Sequence, residues 1–417
     1  MNNTNSSIKT KVFFIQPTGD KRGHYGVYTA NVCQQLAKQG AEVTLFTNKI
    51  HSEKFLSQKP SFNIVEFRNG KYGFEKFDKL KKRFPIFYTF GYLRNSFIAI
   101  SEALRYLKKN KIDIVFVMDT EYSVLSLLLK FSRIKLPPLV LMVQAANFSF
   151  SKFSGSYILK IYKTIQKRIL KSVIPKKIKA FSVLGEFHKE ELKKQLNLKN
   201  NFPIKVVYDG ADRPKKIISK EVARKSLGLA THEPILLFFG MLRKDKGIEY
   251  LLEAIYLLKN EKVKLLIAGS LFDYTKTEIE DMVRKLGIGE KVILKLKYIK
   301  DTNVPLYFFA SDAIVFPYRK VYTGGTGPLL KEAAIYSTPI IASDVSEMGR
   351  LIKKNKMGLI AQPEDKKDLA RQIKNFLKMS EGKKKEMARN AARAANTWEK
   401  MAKEYLDFFG ELINEKD

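Results

Sequence analysis

The sequence predicts an α/β protein made of two doubly wound, Rossmann-like parallel sheets. Three observations lead there. Strand-like apolar runs alternate with helical patterns along both halves of the chain. Its 417 residues suit two cores of about 200 residues better than one. A turn-rich stretch, YDGADRP at 208–214, separates the two alternating series. The expected domains are 1–208 and 209–395, followed by a terminal helix within 396–417 that can cross back to the first domain.

Residues 11–16 (KVFFIQ) read as a short apolar strand, PTGDKRGHYG as a loop, 27–39 as an amphipathic helix closed by Gly40, and 42–47 (EVTLFT) as a second strand. The chain therefore opens on a βαβ unit. Gly19, Gly23 and Gly26 fall at the carboxyl ends of these strands, where open α/β sheets hold ligands, but their spacing is not the dinucleotide fingerprint. A strand over 63–67, a helix over 96–109 and a strand over 112–118 follow. That strand runs into Asp119, Thr120 and Glu121, whose two carboxylates resemble a metal-binding Asp-x-Asp pair; the other reading, a cap or hydrogen-bonding site, is the commoner one for a strand end, and the loop offers no further oxygen ligands. Strands over 139–143, 179–184 and 204–208, with a helix through 190–196, complete the first half. In the second half, helices over 220–227, 248–258, 277–286, 305–309 and 328–336 alternate with strands over 234–239, 263–268, 292–296, 313–316 and 340–342. The final helix, 396–413, carries the only tryptophan, Trp398.

A hydrophobic content of 45% and an aromatic content of 12% exclude a disordered chain. A single cysteine, Cys33, excludes a disulfide framework and any multi-cysteine metal centre. No run approaches the roughly 18 apolar residues of a spanning helix, and MNNTNSSIKTK lacks the apolar core of a signal sequence. The expected setting is the cytoplasm, with peripheral attachment at the inner face of the cell membrane open. The net charge of +34 is unevenly placed: residues 1–208 hold 37 Lys+Arg against 13 Asp+Glu, a net +24, which leaves +10 for the rest. Between Tyr122 and Gly185 there is no acidic residue. Within that stretch, SYILKIYKTIQKRILKSVI sets Ile158, Ile161, Tyr162, Ile165 and Ile169 on one helical face among lysines. That face has two readings, an anionic membrane surface or the protein's own sheet.

The most informative stretch is 311–343. A buried strand leads into Thr323, Gly324, Gly325, Thr326 and Gly327, and Pro328 then suits the first position of a helix. A glycine-rich loop feeding a helix N-terminus points free N–H groups and the positive end of the helix dipole at one spot, which suits a phosphate; plain loop chemistry is the other reading. With Pro328 lacking an N–H, the nearest donors are Gly327 and Leu329. Glu332, one turn into the helix, is placed to accept from vicinal hydroxyls such as those of a ribose.

Five stretches, VYDGAD (207–212), FFGMLRKDKGIEYLLEA (238–254), LLIAGS (265–270), ASDAIVFPYR (310–319) and TGPLLKEAAIYSTPIIASDV (326–345), together resemble the retaining nucleotide-sugar glycosyltransferases of family 4. The resemblance is specific over 204–363 and looser over 11–47. It implies the GT-B architecture, two Rossmann-like domains facing a cleft. It implies that Arg243 and Lys246 contact the donor diphosphate and stabilise the charge that develops as the glycosidic bond breaks. Glu332 matches the family's ribose-holding glutamate, Gly327 and Leu329 its phosphate-facing amides, and Tyr298 and Ile299 the place where the base lodges. Gly19 and Thr323–Thr326 complete the donor-binding set; His24, Asp119 and Glu121 are the acceptor-side candidates. No cofactor or metal is implied. The partners expected are a nucleotide-sugar donor, a lipid-linked or glycan acceptor and an anionic membrane surface, in cell-surface polysaccharide or glycolipid synthesis.

Three positions depart from the family pattern. The motif's first glutamate falls at Gly324, the arginine usual after Gly240 is Met241, and the histidine often found after strand 139–143 is replaced by Gln144, Ala145 and Ala146. Arg243 is placed to substitute for the missing arginine. Two other classes stay open: a GT-B partner that binds without transferring, favoured by Gly324, and a nucleic-acid-binding protein, suggested by the basic aromatic first half but lacking any known module.

Overall fold

The computed structural model describes residues 9–17, 24–48, 59–67, 85–118, 120–144, 157–214, 216–229, 232–322 and 327–415. It divides into two compact units, 1–208 with 398–417 and 209–397, so the chain passes from one to the other twice.

The described residues of the first unit form a seven-stranded parallel sheet in the order β3-β2-β1-β4-β5-β6-β7. The strands are β1 (Lys11–Gln16), β2 (Glu42–Thr47), β3 (Asn63–Glu66), β4 (Ile114–Val117), β5 (Leu139–Val143), β6 (Ala180–Val183) and β7 (Ile204–Val206). Their near-continuous apolar sequences fit strands buried on both faces. Alternation splits them: Val12 and Phe14 turn toward α1 (His24–Lys38), while Phe13 and Ile15 turn toward α2 (Pro85–Lys109), α3 (Tyr122–Phe131) and α4 (Tyr157–Val173). α5 (Glu186–Leu196) completes that second layer. Because β1 pairs with β2 on one side and β4 on the other, the strand order reverses between β1 and β4.

The second unit repeats the plan with six parallel strands in the order β10-β9-β8-β11-β12-β13. These are β8 (Ile235–Phe239), β9 (Lys264–Ala268), β10 (Val292–Lys295), β11 (Ala313–Phe316), β12 (Ile340–Ser343) and β13 (Gly358–Ala361), and the reversal lies between β8 and β11. Its helices are α6 (Lys220–Leu227), α7 (Ile248–Leu257), α8 (Lys276–Lys285), α9 (Val304–Ala310), α10 (Gly327–Ile335), α11 (Ser346–Asn355), α12 (Lys366–Lys378) and α13 (Glu381–Ala394). The last helix, α14 (Trp398–Asn414), returns to the first unit and lies beside α1. There Tyr405 Oη meets Tyr28 Oη at 3.1 Å and Ser182 Oγ at 3.0 Å, and the Trp398 ring meets Tyr28 edge-on.

The structure extends the sequence reading in several places. α1 begins at His24 and runs through the buried Gly26, which the sequence assigns to a loop because glycine costs about 1 kcal/mol in a helix. α2 is 25 residues long and starts at Pro85, well before 96; its aromatic first half carries no helical signal of its own. α3, α11, α12, α13 and the short β13 have no counterpart in the sequence reading. No described helix is long and apolar enough to cross a membrane.

Candidate functional site

In the second unit the reversal point gathers the loops after β8 and β11. Gly269, at the end of β9, has φ +150°, and a Cβ there would lie 1.9 Å from Gly240 O, so these backbones touch only because glycine is present. The β8 loop then turns through Lys244–Lys246 in one 3₁₀ turn and leaves it at Gly247, φ +63°, where a Cβ would meet Pro317 O at 2.2 Å. This close approach holds Arg243 and Lys246 against the segment after β11.

Arg243 is gripped by Asp245 in a two-pronged ion pair, Nε to Oδ1 at 2.9 Å and Nη2 to Oδ2. That hydrogen bonding is the main reason the guanidinium is held above its ordinary pKa. The Asp245 carbonyl accepts from Arg319 N at 3.0 Å, and the Arg319 side chain pairs with Glu364 and Glu249. Lys246 is 9% exposed, and its Nζ lies 5.7 Å from the centre of the buried Tyr318 ring. Among the described residues no carboxylate lies within ion-pair distance of it. Burial, and after it the Arg243 charge, brings its pKa down to about 8. The Tyr322 ring is tilted against Tyr318, ring centres 4.6 Å apart, and burial raises its hydroxyl to about 12.

Glu332 sits in α10, the helix after the glycine-rich loop. The residue is half-buried as a whole, yet Oε2 is shielded from solvent and has no hydrogen-bond partner among the described residues. Desolvation lifts the carboxyl to about 7, opposed by Lys331 and Lys246 and reinforced by Asp301. Lys331 is itself engaged with Gly210 O at 2.9 Å. The result is a buried ammonium and a buried carboxyl that feel each other's charge, each displaced toward its neutral form. An anion beside Lys246 and hydroxyl donors beside Glu332 would relieve both.

Of the other sequence candidates, Gly327 and Leu329 lie in the first turn of α10, the Leu329 side chain being outside the described residues. Tyr298 is 71% exposed, whereas Ile299 is buried in the unit's core, so only the former offers a ring to a ligand. Gly19, Asp119 and Thr323, Gly324, Gly325 and Thr326 lie outside the described residues, as does the side chain of the helical His24. Glu121 is the N-cap of α3: its Oε1 accepts from Ser123 N at 3.0 Å, Ser123 Oγ at 2.6 Å and Gln166 Nε2 at 2.7 Å. Glu121 thus takes the cap and hydrogen-bonding reading given to the carboxylate pair.

One feature of the first unit has no counterpart in the sequence reading. Thr47, Asn48, Thr120 and Gln144 fall at the carboxyl ends of β2, β4 and β5, strands at or beside the reversal point. Thr47 Oγ1, Asn48 Oδ1, Thr120 Oγ1 and Gln144 Nε2 are buried without partners among the described residues. The row mixes donors and acceptors and carries no charge. Each residue is unremarkable alone, and only the strand order brings them together. Among the described residues no cluster of three or more His, Cys, Asp and Glu side chains could hold a metal.

Residues 25–213 match the sequence profile described as Glycosyltransferase Family 4, and residues 219–395 match Glycosyl transferases group 1. The chain belongs to the family 4 glycosyltransferases. Its two Rossmann-like sheets are those of the family's GT-B fold: the sucrose-phosphate synthase of Thermosynechococcus elongatus superposes with a TM-score of 0.74 at 18% identity, over 98% of this chain and 100% of that one. The HepE protein of Anabaena, in a complex with UDP and glucose, gives 0.69 at 16% identity over 96% and 100%. Among curated relatives, an uncharacterized glycosyltransferase of Methanocaldococcus jannaschii, MJ1607, is 29% identical over 217 residues, 49% of this chain and 53% of that protein. The chain spans about half the length of the curated relatives it matches.

Proposed function

We propose that the protein is a glycosyltransferase that moves a sugar from a nucleoside-diphosphate sugar to an acceptor hydroxyl with retention, and without a divalent metal. The observation that carries this reading is the buried Lys246, which feels the charge of the desolvated Glu332 carboxyl without an ion pair to it, beside the Arg243–Asp245 fork at the reversal point of the second sheet. Two cations meet the diphosphate. As the bond from sugar to phosphate oxygen breaks, negative charge grows on the leaving β-phosphate, and Lys246, costly to keep charged when alone, stabilises it at short range. Glu332 accepts from the ribose hydroxyls, and Tyr298 offers an exposed ring for the base. The leaving phosphate oxygen takes the acceptor proton as the acceptor oxygen attacks the same face of the sugar.

On the first unit, the uncharged row of Thr47, Asn48, Thr120 and Gln144 suits an acceptor's hydroxyls, which donate and accept alike, better than a phosphate, which cannot satisfy Asn48 Oδ1. The acceptor is a glycan or lipid-linked glycan of the cell surface, met at an anionic membrane.

A thermal-shift screen of nucleoside diphosphates and their sugars, followed by turnover of the stabilising donor, tests the reading. Release of the nucleoside diphosphate that depends on acceptor is the expected result. Glu332→Gln narrows the preference for ribonucleotide over deoxyribonucleotide, because a neutral amide is a weaker acceptor for two hydroxyls. A wild-type protein indifferent to the ribose hydroxyls removes Glu332 from its role; stabilisation without turnover of any sugar makes the chain a binding partner instead.

A further inference from the structure

The layer formed by α2, α3 and α4 is apolar on two sides. Its inner side packs on the first sheet through residues such as Ala103, Leu129 and Leu170. On its outer side Phe90 and Phe97 of α2 are 71% and 55% exposed, Leu127 and Phe131 of α3 are 40% and 76%, and Ile161 and Ile165 of α4 are 46% and 49%. α3 packs against both of the other helices, so the three outer faces adjoin. Six of the seven large apolar side chains exposed among the first unit's described residues are these, a patch rather than scatter. The structure also sorts the face read from the sequence of α4: Gln166, Leu170 and Val173 turn inward, Tyr162 and Ile169 are half-buried, and Ile161 and Ile165 face out beside the exposed Lys160, Arg168 and Lys171.

We propose that this three-helix face docks on an anionic lipid surface. The occupant is argued from charge: the three helices carry ten Lys and Arg against one carboxylate, Glu102. Phe, Leu and Ile side chains set among cations match a bilayer interface, with acyl chains for the apolar tips and headgroup phosphates for the cations. A nucleic-acid backbone has no use for Leu127, Ile161 and Ile165, and a second copy of the same face would bring like charges together. The proposal deepens the acceptor side of the transferase reading by saying which face meets the membrane, and its test does not depend on transfer.

The full-length protein is sedimented with vesicles of phosphatidylcholine plus phosphatidylglycerol, and with phosphatidylcholine alone, at low and high salt. Capture is expected only with the anionic vesicles and is expected to fall with salt. Changing Lys160, Arg168 and Lys171 to Glu lowers partitioning at low salt by at least about a hundredfold, at about fivefold per cation. Changing Phe131, Ile161 and Ile165 to Ser leaves low-salt recruitment but releases the protein at a salt concentration the wild type withstands. All substituted positions are exposed, and unchanged melting temperature and UDP binding verify that both variants are folded. Protein left in the supernatant with anionic vesicles at low salt, equal capture by neutral vesicles, or variants that sediment like the wild type overturn the proposal. So does self-association that the same substitutions abolish. UDP binding measured on the same samples separates a failure of the docking face from a failure of the donor site.

Discussion

Lys246 and Glu332 have been brought toward each other in proton affinity, the ammonium down to about 8 from 10.5 and the carboxyl up to about 7 from 4.5, mainly because both are desolvated. The sign of each shift fixes a pH dependence. A carboxyl raised in the folded state contributes stability that is fully present below its unfolded value and is lost as pH rises through about 7. A depressed lysine leaves the folded state with fewer bound protons than the unfolded one between about 8 and 10.5, so its contribution grows as pH rises through that window. The proposed nucleotide-binding roles require the opposite, an ionised Glu332 and a charged Lys246. The affinity for the nucleoside diphosphate selected by the thermal-shift screen, measured by calorimetry, is therefore expected to rise as pH passes about 7 and to fall above about 8, with Glu332→Gln removing the lower limb and Lys246→Ala the upper. A profile identical in wild type and both variants would show that neither group faces the ligand. The family resemblance marks both residues in the sequence. The Asp245 fork on Arg243 and the orphaned row from Thr47 to Gln144 are not legible there, because the first depends on a 3₁₀ turn and the second on strand order.

Elements with a strong period or a fully apolar run, such as β8 and α7, are legible from sequence because burial on a regular lattice leaves a regular pattern. β13 is four residues beginning at a glycine, and the first half of α2 is aromatic and β-like; tertiary packing decides both. α14 is legible as a helix, but its place beside α1 is a tertiary fact. Seven of its side chains are buried, Phe409 completely, where it stacks on Tyr405 and tilts against Phe116. Phe409→Ala is expected to cost about 3–5 kcal/mol in chemical denaturation, the range for truncating a buried aromatic. A loss below about 1 kcal/mol, typical of a surface change, would mean that α14 is not part of the first unit's core.

At the scale of the whole chain, each unit is an open parallel sheet whose strand order reverses once, and at or beside each reversal lie buried polar groups without partners among the described residues: Glu332 Oε2, near the displaced Lys246, in the second unit and an uncharged row in the first. The proposed function assigns the charged reversal to a diphosphate donor and the uncharged one, with its hydroxyls and amides, to an acceptor. The most direct measurement is calorimetry, with chelator present, of the nucleoside diphosphate selected by the thermal-shift screen against wild type and Lys246→Ala. The wild type is expected to bind without divalent metal, and the substitution to weaken binding by about 1.5–3 kcal/mol, the contribution of a charge-assisted hydrogen bond. Equal affinities, or binding by the wild type that appears only when a divalent cation is restored, would contradict the donor site described for the second unit.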